Sequence, residues 1–161
     1  MTDAEQRDAE HLRRAIAQSR IALERGNRPY GAVLVGANGQ VLAERQNTEQ
    51  SERDITGHAE TNALREAYRR LGPEALAGST MYASGEPCPM CAATIFYSGV
   101  IRVVYGISRA RVRELLPHSR DNPTLDVTCR DILATATRPI EVVGPFLEDE
   151  AERVFVQTAE R

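Results

Sequence analysis

The sequence predicts an α/β protein, a three-layer α/β/α sandwich built on a mixed five-stranded sheet. Segments with helical periodicity alternate with short apolar, β-branched segments along the chain, which is typical of that architecture. An Asn38-Gly39 turn between two apolar runs indicates one antiparallel hairpin within the sheet. The chain has 161 residues and shows no internal repeat or long linker. We therefore expect residues 1–161 to form a single domain.

Ten elements are predicted, in the order α-β-β-α-β-α-β-α-β-α. The first helix runs from about Asp3 to Arg25, where apolar residues recur at helical spacing and Gly26-Asn27 follows as a stop. Tyr30 to Val35 and the segment VLAER form the two hairpin strands. The later elements are a helix from near Thr56 to Gly72-Pro73, a strand STMYAS, a helix beginning in PCPMC, a strand VIRVVYGI, a helix in DVTCRDILATA, a strand IEVVGPF and a closing helix EDEAERVFVQTAE. The stretch from Ser108 to Pro123 is expected to be an irregular loop with a short helix and is not counted among the ten.

The composition limits the functional classes that fit this chain. The net charge of −3 gives no overall attraction to a phosphate backbone, so nucleic acid is not expected as a partner. The first residues mix both charge signs and lack an apolar run, and no later segment is apolar enough to cross a bilayer. We expect a cytoplasmic protein that does not enter a membrane. The local cluster of Arg109, Arg111 and Arg113 is interpreted as a solvated helix or loop face.

Two short motifs carry the chemistry. His58-Ala59-Glu60 is an H-x-E motif, and Pro87-Cys88-Pro89-Met90-Cys91 is a P-C-x-x-C motif, an order and spacing typical of zinc-dependent deaminases. One imidazole and two thiolates leave the fourth tetrahedral position for water, as in catalytic zinc sites. The motifs therefore predict one Zn²⁺ per chain, with a bound water or hydroxide. Both cysteines fall at a predicted helix start, where the helix dipole favours thiolates.

Glu60 is predicted to be the proton shuttle rather than a metal ligand. It would take a proton from water, whose pKa zinc lowers to about 7, and deliver it to a ring nitrogen and then to departing ammonia. Two alternative roles for these residues stay open. The C-x-x-C pair is also found in redox proteins, and the whole cluster could serve a zinc-stabilised binding module without catalysis. The presence of Glu60 argues against such a module. Cys129 is interpreted as a buried structural cysteine.

These residues resemble the cytidine deaminase superfamily, in the branch that holds guanine deaminases, fungal-type cytosine deaminases and tRNA adenosine deaminases. The resemblance runs from about Arg20 to Gly106 and includes the segment PYGAVLV and Gln46-Asn47. It implies a cytidine deaminase-like fold, zinc ligation by His58, Cys88 and Cys91, proton transfer by Glu60 and homodimer formation. It also implies that the substrate contacts are the Asn47 side chain, backbone groups at Ala59 and around Ser84 and Glu86, and a stacking ring from Tyr97.

The chain departs from the family pattern at the entrance to the pocket. Relatives often read D-P-T-A-H-A-E where this chain carries Ile55 in place of proline and Gly57 in place of alanine. We interpret these changes as tuning of substrate shape. After Gly106 the resemblance fades, and the polar residues there that could reach a base are His118, Asp121, Asn122 and Asp126.

The two motifs do not identify the substrate, because the zinc chemistry is the same for any ring carbon that carries an amino group. We expect hydrolytic deamination of a free nucleobase or base analogue of the guanine, cytosine, isocytosine or aminotriazine type, with release of ammonia. The alternative is a tRNA adenosine deaminase, which requires a basic surface for the RNA backbone. The acidic net charge and the acidic closing segment favour the small-molecule substrate.

Overall fold

A computed structural model of the protein describes residues 1–116 and 123–159. Within these ranges a five-stranded sheet has the strand order β2-β1-β3-β4-β5. The strands are β1 (Gly31–Val35), β2 (Val41–Gln46), β3 (Thr80–Gly85), β4 (Arg102–Ile107) and β5 (Glu141–Val143). The helices are α1 (Asp3–Glu24), α2 (Ala59–Leu71), α3 (Pro73–Leu76), α4 (Pro89–Tyr97), α5 (Arg109–Leu115), α6 (Cys129–Leu133) and α7 (Glu148–Ala159).

The sheet is mixed, as the sequence predicts. β1 pairs antiparallel with β2 on one side and with β3 on the other. β3 and β4 are parallel, and β4 and β5 are parallel. Parallel neighbours need a crossover connection, and α4 supplies the one between β3 and β4. The α4 helix therefore begins where β3 ends, and this places residues 86–91 at the carboxyl end of the parallel strands β3 and β4.

Helices cover both faces of the sheet, and each face has its own apolar core. α1 and α7 pack on one face, where Leu12, Ile16 and Phe155 are buried against Val33 and Val104. The other face is covered by α2, α4 and α6, whose buried side chains meet the opposite side of the same strands. Alternate residues of each central strand thus enter different cores. The fold class predicted from the sequence is confirmed.

Two glycines let the helices on the α1 side approach the sheet closely. A Cβ atom at Gly31 would lie 2.1 Å from the carbonyl oxygen of Ala15 in α1. A Cβ atom at Gly106 would lie 2.9 Å from the Cβ of Ala151 in α7. Both distances are shorter than atoms tolerate, so a side chain at either position would push its helix away from the sheet.

The structure differs from the predicted element list in the middle of the chain. Gly72-Pro73 ends α2 as predicted, but Pro73 also begins the four-residue helix α3. Proline suits the first position of a helix, because its missing N–H has no intrahelical acceptor there. The Gly72-Pro73 pair therefore ends α2 and begins α3. In the described part of the chain, no helix has the length and apolar character needed to cross a membrane.

A charged network joins α1 to the amino-terminal ends of β4 and β5, away from the predicted motifs. The Arg102 guanidinium donates two hydrogen bonds of 2.7 Å to the buried Asp8 carboxylate, and the Tyr82 hydroxyl donates a third of 2.8 Å. Arg102 also pairs with Glu141 of β5. Burial disfavours the Asp8 charge, but the bonds from Arg102 and Tyr82 outweigh it and lower the pKa of Asp8.

Replacing Asp8 by asparagine should lower the free energy of unfolding by about 2 kcal/mol, because charged hydrogen bonds of this kind are lost. A carboxyl group whose pKa is lowered by folding stabilises the protein above its unfolded pKa, near 3.9, and this contribution disappears as the pH falls through the folded pKa. The difference between the wild type and Asp8→Asn should therefore be constant above about pH 5 and shrink in acid.

Urea unfolding at several pH values measures this difference. Glu10→Gln is the matched control, because Glu10 is an exposed carboxylate on the same helix. The control should change the unfolding free energy by less than about 0.5 kcal/mol. Equal effects of the two substitutions would contradict the role of the network.

Candidate zinc site and active-site cavity

The two predicted motifs meet because two helices begin at the same place. His58 is the N-cap residue of α2, and Cys88 is the N-cap residue of α4. Cys91 lies in the first turn of α4 and is buried. The Nδ1 atom of His58 is 3.5 Å from the Sγ atom of Cys88 and 3.4 Å from that of Cys91. The structure thus brings together the three ligands predicted from the sequence.

The cluster fits a zinc ion by distance and by chemistry. Ligand atoms of His58, Cys88 and Cys91 all lie within 4.8 Å of one another. In tetrahedral zinc sites, with Zn–N near 2.0 Å and Zn–S near 2.3 Å, a nitrogen and a sulfur ligand are separated by about 3.5 Å. The two nitrogen–sulfur distances of the cluster match this value. Two soft thiolates and one imidazole are also a donor set that zinc prefers.

The site favours the ligand form of Cys88. A hydrogen bond from the Cys91 thiol, and then one from the His58 ring, lower the pKa of Cys88 to about 4. The N-terminus of α4 adds unpaired backbone N–H groups that favour negative charge. In return, the hydrogen bond to Cys88 raises the pKa of His58. Cys88 is therefore available as a thiolate at neutral pH, as metal binding requires.

Glu60 lies beside the ligand cluster in the first turn of α2 and is buried. Burial raises the pKa of Glu60, although a hydrogen bond from the Cys91 thiol acts in the opposite direction. A carboxyl group with a raised pKa exchanges protons more readily near neutral pH than an exposed one. The electrostatics are those expected of a proton shuttle, and its catalytic role stays a prediction.

A cavity of about 540 Å³ opens over the cluster. Five of the nine site residues predicted from the sequence line this cavity, namely Asn47, His58, Glu60, Glu86 and Cys88. Cys91 is fully buried and is not among the described residues that line the cavity. The cavity volume falls in the range of small-molecule sites, about 300–1,000 Å³. The residues that line the cavity without having been singled out as site residues include Arg28, Tyr30, Gln50, Met90, Arg109, Val112, Arg113, Leu125 and Phe155.

The Asn47 side chain presents a hydrogen-bond donor at the cavity. It follows β2 directly, and its Oδ1 atom accepts a hydrogen bond of 3.1 Å from the backbone N–H of Glu49. Because an N–H can only donate, this bond assigns the oxygen to that side of the amide and leaves Nδ2 on the other. Among the described residues Nδ2 has no hydrogen-bond acceptor. Asn47 is therefore suited to bind an acceptor atom on a ring edge.

The remaining predicted contacts have different positions. Ala59 is buried as the first residue of α2, so its N–H has no intrahelical acceptor. The Ser84 hydroxyl accepts a hydrogen bond from the Gly31 N–H, which ties β3 to β1. Ser84 and Ala59 are not among the described residues that line the cavity. Glu86 lines the cavity, and its side chain as well as its backbone takes part in the structure of the site.

Glu86 links the zinc motif to the segments that follow β4. One carboxylate oxygen accepts a hydrogen bond from the backbone N–H of Arg109, and the other accepts one of 3.0 Å from the N–H of Cys129. These two residues begin α5 and α6. A single buried carboxylate thus holds two helix starts against the loop that leads to Cys88.

Tyr97 does not reach the cavity. It is 84% exposed at the end of α4, one and a half helical turns beyond Cys91, on the outer surface. Tyr30 and Phe155 are the aromatic rings, besides the His58 imidazole, that the described residues bring to the cavity, and they pack edge to face with centroids 5.3 Å apart. Burial raises the pKa of Tyr30 to about 12, so its hydroxyl stays protonated. The aromatic wall comes from the residue before β1 and from α7, not from α4.

The arginine cluster is only partly the solvated face that the sequence predicts. Arg111 fits that prediction, because it pairs with Glu114 and Glu152. Arg109 and Arg113, by contrast, line the cavity. One helical turn places positions 109 and 113 on the same side of α5 and position 111 on the other. Asp126 pairs with Arg113 and is exposed, whereas His118, Asp121 and Asn122 lie outside the described residues.

Two further positions have clear structural roles. Cys129 is buried in the core, as predicted, and burial raises the pKa of its thiol to about 12. It is not part of the ligand cluster. Asn62 was not singled out, yet its amide donates to the Gln46 carbonyl and the Thr48 hydroxyl, each at 3.0 Å.

The fold and the ligand set together define a zinc-binding α/β protein with a buried carboxylate beside the metal position. A sequence model of the cytidine and deoxycytidylate deaminase zinc-binding region matches residues 5–107, which is more than half of the chain. The chain belongs to this deaminase family. It is therefore a hydrolytic deaminase of the cytidine deaminase superfamily, as the resemblance of its motifs predicts.

Relatives with different substrates resemble the chain. A probable cytosine deaminase of Schizosaccharomyces pombe is 40% identical over 150 residues, which cover 93% of this chain and 91% of the relative. A solved structure from a study of tRNA:A34 deaminases superposes with a TM-score of 0.71 at 30% identity, covering 91% of this chain and 99% of that one. A guanine deaminase structure from Bacillus subtilis has a TM-score of 0.63 at 28% identity, covering 83% and 90%.

Replacing Cys88 by alanine should abolish stoichiometric zinc binding and lower the melting temperature, because metal binding contributes to the stability of such sites. Metal analysis of the purified protein and a thermal melt with and without chelator measure both effects. Cys129→Ala is the matched control, since it removes a buried thiol outside the ligand cluster. Full zinc occupancy in Cys88→Ala would contradict the ligand assignment.

Proposed function

We propose that the protein deaminates a free nucleobase or a base analogue by zinc-dependent hydrolysis, with His58, Cys88 and Cys91 as the zinc ligands. The observation that carries this proposal is the closed set of residues around one small cavity. A buried glutamate, a ligand cluster and an amide donor face the same space of about 540 Å³. A space of this size accommodates one planar base.

Glu60 moves the protons of the proposed reaction. His58, Cys88 and Cys91 would hold the zinc ion, which when bound would act as a Lewis acid and lower the pKa of the attacking water to about 7. Glu60 accepts the proton of the attacking water and passes it to the ring nitrogen beside the reacting carbon. Glu60 then takes the second proton of the former water, from the hydroxyl group on the reacting carbon, and delivers it to the amino group as the C–N bond breaks. The oxygen of water stays on the ring as a carbonyl, and ammonia leaves.

The remaining residues at the cavity hold the ring in place. Asn47 offers its amide Nδ2–H to an acceptor on the ring edge, such as a carbonyl oxygen or a ring nitrogen. Tyr30 and Phe155 provide an apolar wall against which a planar ring packs. Substrates that lack the acceptor leave the amide of Asn47 unpaired in a buried place, which costs binding energy.

The surface charges support the small-molecule substrate over tRNA. A tRNA deaminase needs cationic side chains that are available to phosphates. On α5, Arg111 is paired with two glutamates and Arg113 with Asp126. The first turn of α7 adds three acidic residues, Glu148, Asp149 and Glu150. The likeness to the probable cytosine deaminase, at 40% identity over 93% of the chain, also supports a free base.

Ammonia release from a substrate panel tests the proposal. The panel contains guanine, cytosine, isocytosine, adenine, their nucleosides, aminotriazines and a tRNA anticodon stem-loop with a wobble adenosine. Zinc-loaded wild-type protein should deaminate at least one free base or analogue. Glu60→Gln should keep its zinc and lose about 10²- to 10⁴-fold in kcat, because general acid–base catalysis is removed.

Each outcome of the panel is informative. Turnover of the stem-loop alone would overturn the proposed substrate class and favour a tRNA deaminase. No ammonia from any substrate, with zinc bound, would favour a zinc-stabilised binding module. Unchanged turnover in Glu60→Gln would remove Glu60 from proton transfer. The expected homodimer is measured separately, by light scattering on the eluted protein.

Asn47→Asp tests the base contact with little change in shape. The carboxylate keeps an acceptor for the Glu49 N–H but loses the Nδ2 donor. We expect kcat/KM for the best base to fall by about 10²-fold or more, with zinc content unchanged. Asn38→Asp, on the exposed hairpin turn, is the control for the added charge. Wild-type kinetics in Asn47→Asp would exclude Asn47 from the site.

A further inference from the structure

A carboxylate oxygen without a partner lies beside the zinc ligand His58. The Oε2 atom of Glu49 is shielded from solvent and has no hydrogen-bond partner among the described residues. It lies 3.6 Å from the Nε2 atom of His58, the ring nitrogen that faces away from the two cysteines. A shielded carboxylate oxygen without a donor is costly, so this position calls for a specific partner.

The chemistry of the imidazole ring supplies that partner. A neutral imidazole carries one proton, and only the nitrogen without the proton can donate a lone pair to a metal. With zinc bound, Nδ1 of His58, which faces the sulfur atoms of Cys88 and Cys91, would give its lone pair to the metal instead of donating to Cys88, so the ring proton would lie on Nε2. That proton faces the Glu49 carboxylate. A movement of about 0.5 Å would bring the pair within hydrogen-bond distance.

The loop that carries Glu49 is held against His58 by its own hydrogen bonds. The Thr48 N–H donates to the Gly57 carbonyl, and the Glu49 N–H donates to Asn47 Oδ1. A Cβ atom on Gly57 would lie 3.0 Å from Thr48 Oγ1 and 3.3 Å from the Glu49 nitrogen. The absence of a side chain at Gly57 thus allows the loop to approach the residue that precedes His58.

This packing gives a structural reason for the departures from the family pattern. Gly57 stands where relatives often have alanine, and its contacts are with the Glu49 loop. Ile55 is 82% exposed. Neither Gly57 nor Ile55 is among the described residues that line the cavity. The interpretation of these two changes as direct tuning of substrate shape is therefore not supported by their positions.

We propose that Glu49 is a positioning residue for the metal ligand: its carboxylate accepts the Nε2–H of His58 and holds the Nδ1 lone pair toward the zinc position. Carboxylate partners of this kind orient metal-bound histidines, and their loss weakens metal binding by about 10- to 100-fold. The proposal depends on zinc at the cluster and not on the identity of the substrate. Glu49 is outside the set of described cavity-lining residues, so it acts through His58 and not on the substrate.

The test is the zinc affinity of the full chain, measured by competition with a chelator of known affinity. Glu49→Ala and Glu49→Met remove the acceptor, and both should weaken zinc binding by about 10- to 100-fold. Glu49→Gln keeps an acceptor oxygen and should recover most of the affinity. Glu52→Ala is the matched control, because Glu52 lies on the same loop and bonds to Thr48 instead of His58. Gly57→Ala should give an intermediate loss, since its Cβ displaces the loop.

A spectroscopic readout separates positioning from a general effect on folding. In ¹⁵N spectra of the zinc-loaded protein, the histidine whose signals respond to zinc should carry its proton on Nε2. That proton should exchange with water slowly in the wild type and in Glu49→Gln, and faster in Glu49→Ala and Glu49→Met. Far-UV circular dichroism should show that all variants are folded.

The outcomes distinguish this proposal from the proposed function. Wild-type zinc affinity in a folded Glu49→Ala or Glu49→Met would overturn the positioning role. An equal loss in Glu52→Ala would overturn it too, because the effect would then belong to the loop as a whole. The expected losses of zinc affinity would support the positioning role even if no substrate of the panel were deaminated. The absence of deamination would count against the proposed function alone.

Discussion

The site depends on one geometric constraint, the meeting of two helix N-termini on the same face of the sheet. The residues that cap α2 and α4 are two of the predicted zinc ligands, His58 and Cys88, so the backbone of two helices sets their separation. The α4 position follows from the parallel β3–β4 crossover, whereas α2 packs mainly against β1 and β2 and contacts α4 directly. A small shift of either helix would directly change the distances of 3.4 and 3.5 Å between His58 Nδ1 and the two cysteine Sγ atoms.

The same meeting point concentrates charge in a place with little water. Glu60, Cys88 and Cys91 can all carry negative charge within one small volume, and burying such groups is costly without compensation. Unpaired N–H groups of two helix starts provide part of this compensation, and a zinc ion bound as proposed would provide a further part. Even without the metal, burial raises the pKa of Glu60, whereas hydrogen bonds from Cys91 and His58 lower the pKa of Cys88.

The outer half of the cavity is built by segments that are far apart in the chain. Tyr30 precedes β1, Arg109 and Val112 come from α5, and Phe155 comes from α7. Glu86 connects these segments to the zinc motif through the backbone N–H groups of Arg109 and Cys129. Under the proposed function, Glu60 and the ligand cluster at the inner end of the cavity carry out the deamination. The outer half is the part in which selectivity for one ring over another can differ.

The sequence by itself determined the features that depend on local pattern. The fold class followed from the alternation of helical and strand segments, and the set of candidate zinc ligands was predicted from H-x-E and P-C-x-x-C, because the spacing within each motif is a local property. The exposure of Tyr97 could not be predicted from local pattern. At the end of a helix, the same residue spacing is compatible with a ring that faces the cavity and with one that faces solvent. Only the tertiary structure decided that Tyr30 and Phe155 form the aromatic wall, that Arg109 and Arg113 turn toward the cavity and that Glu49 faces His58. These placements arise where loops and helices from distant parts of the chain pack together, and no periodicity encodes such contacts.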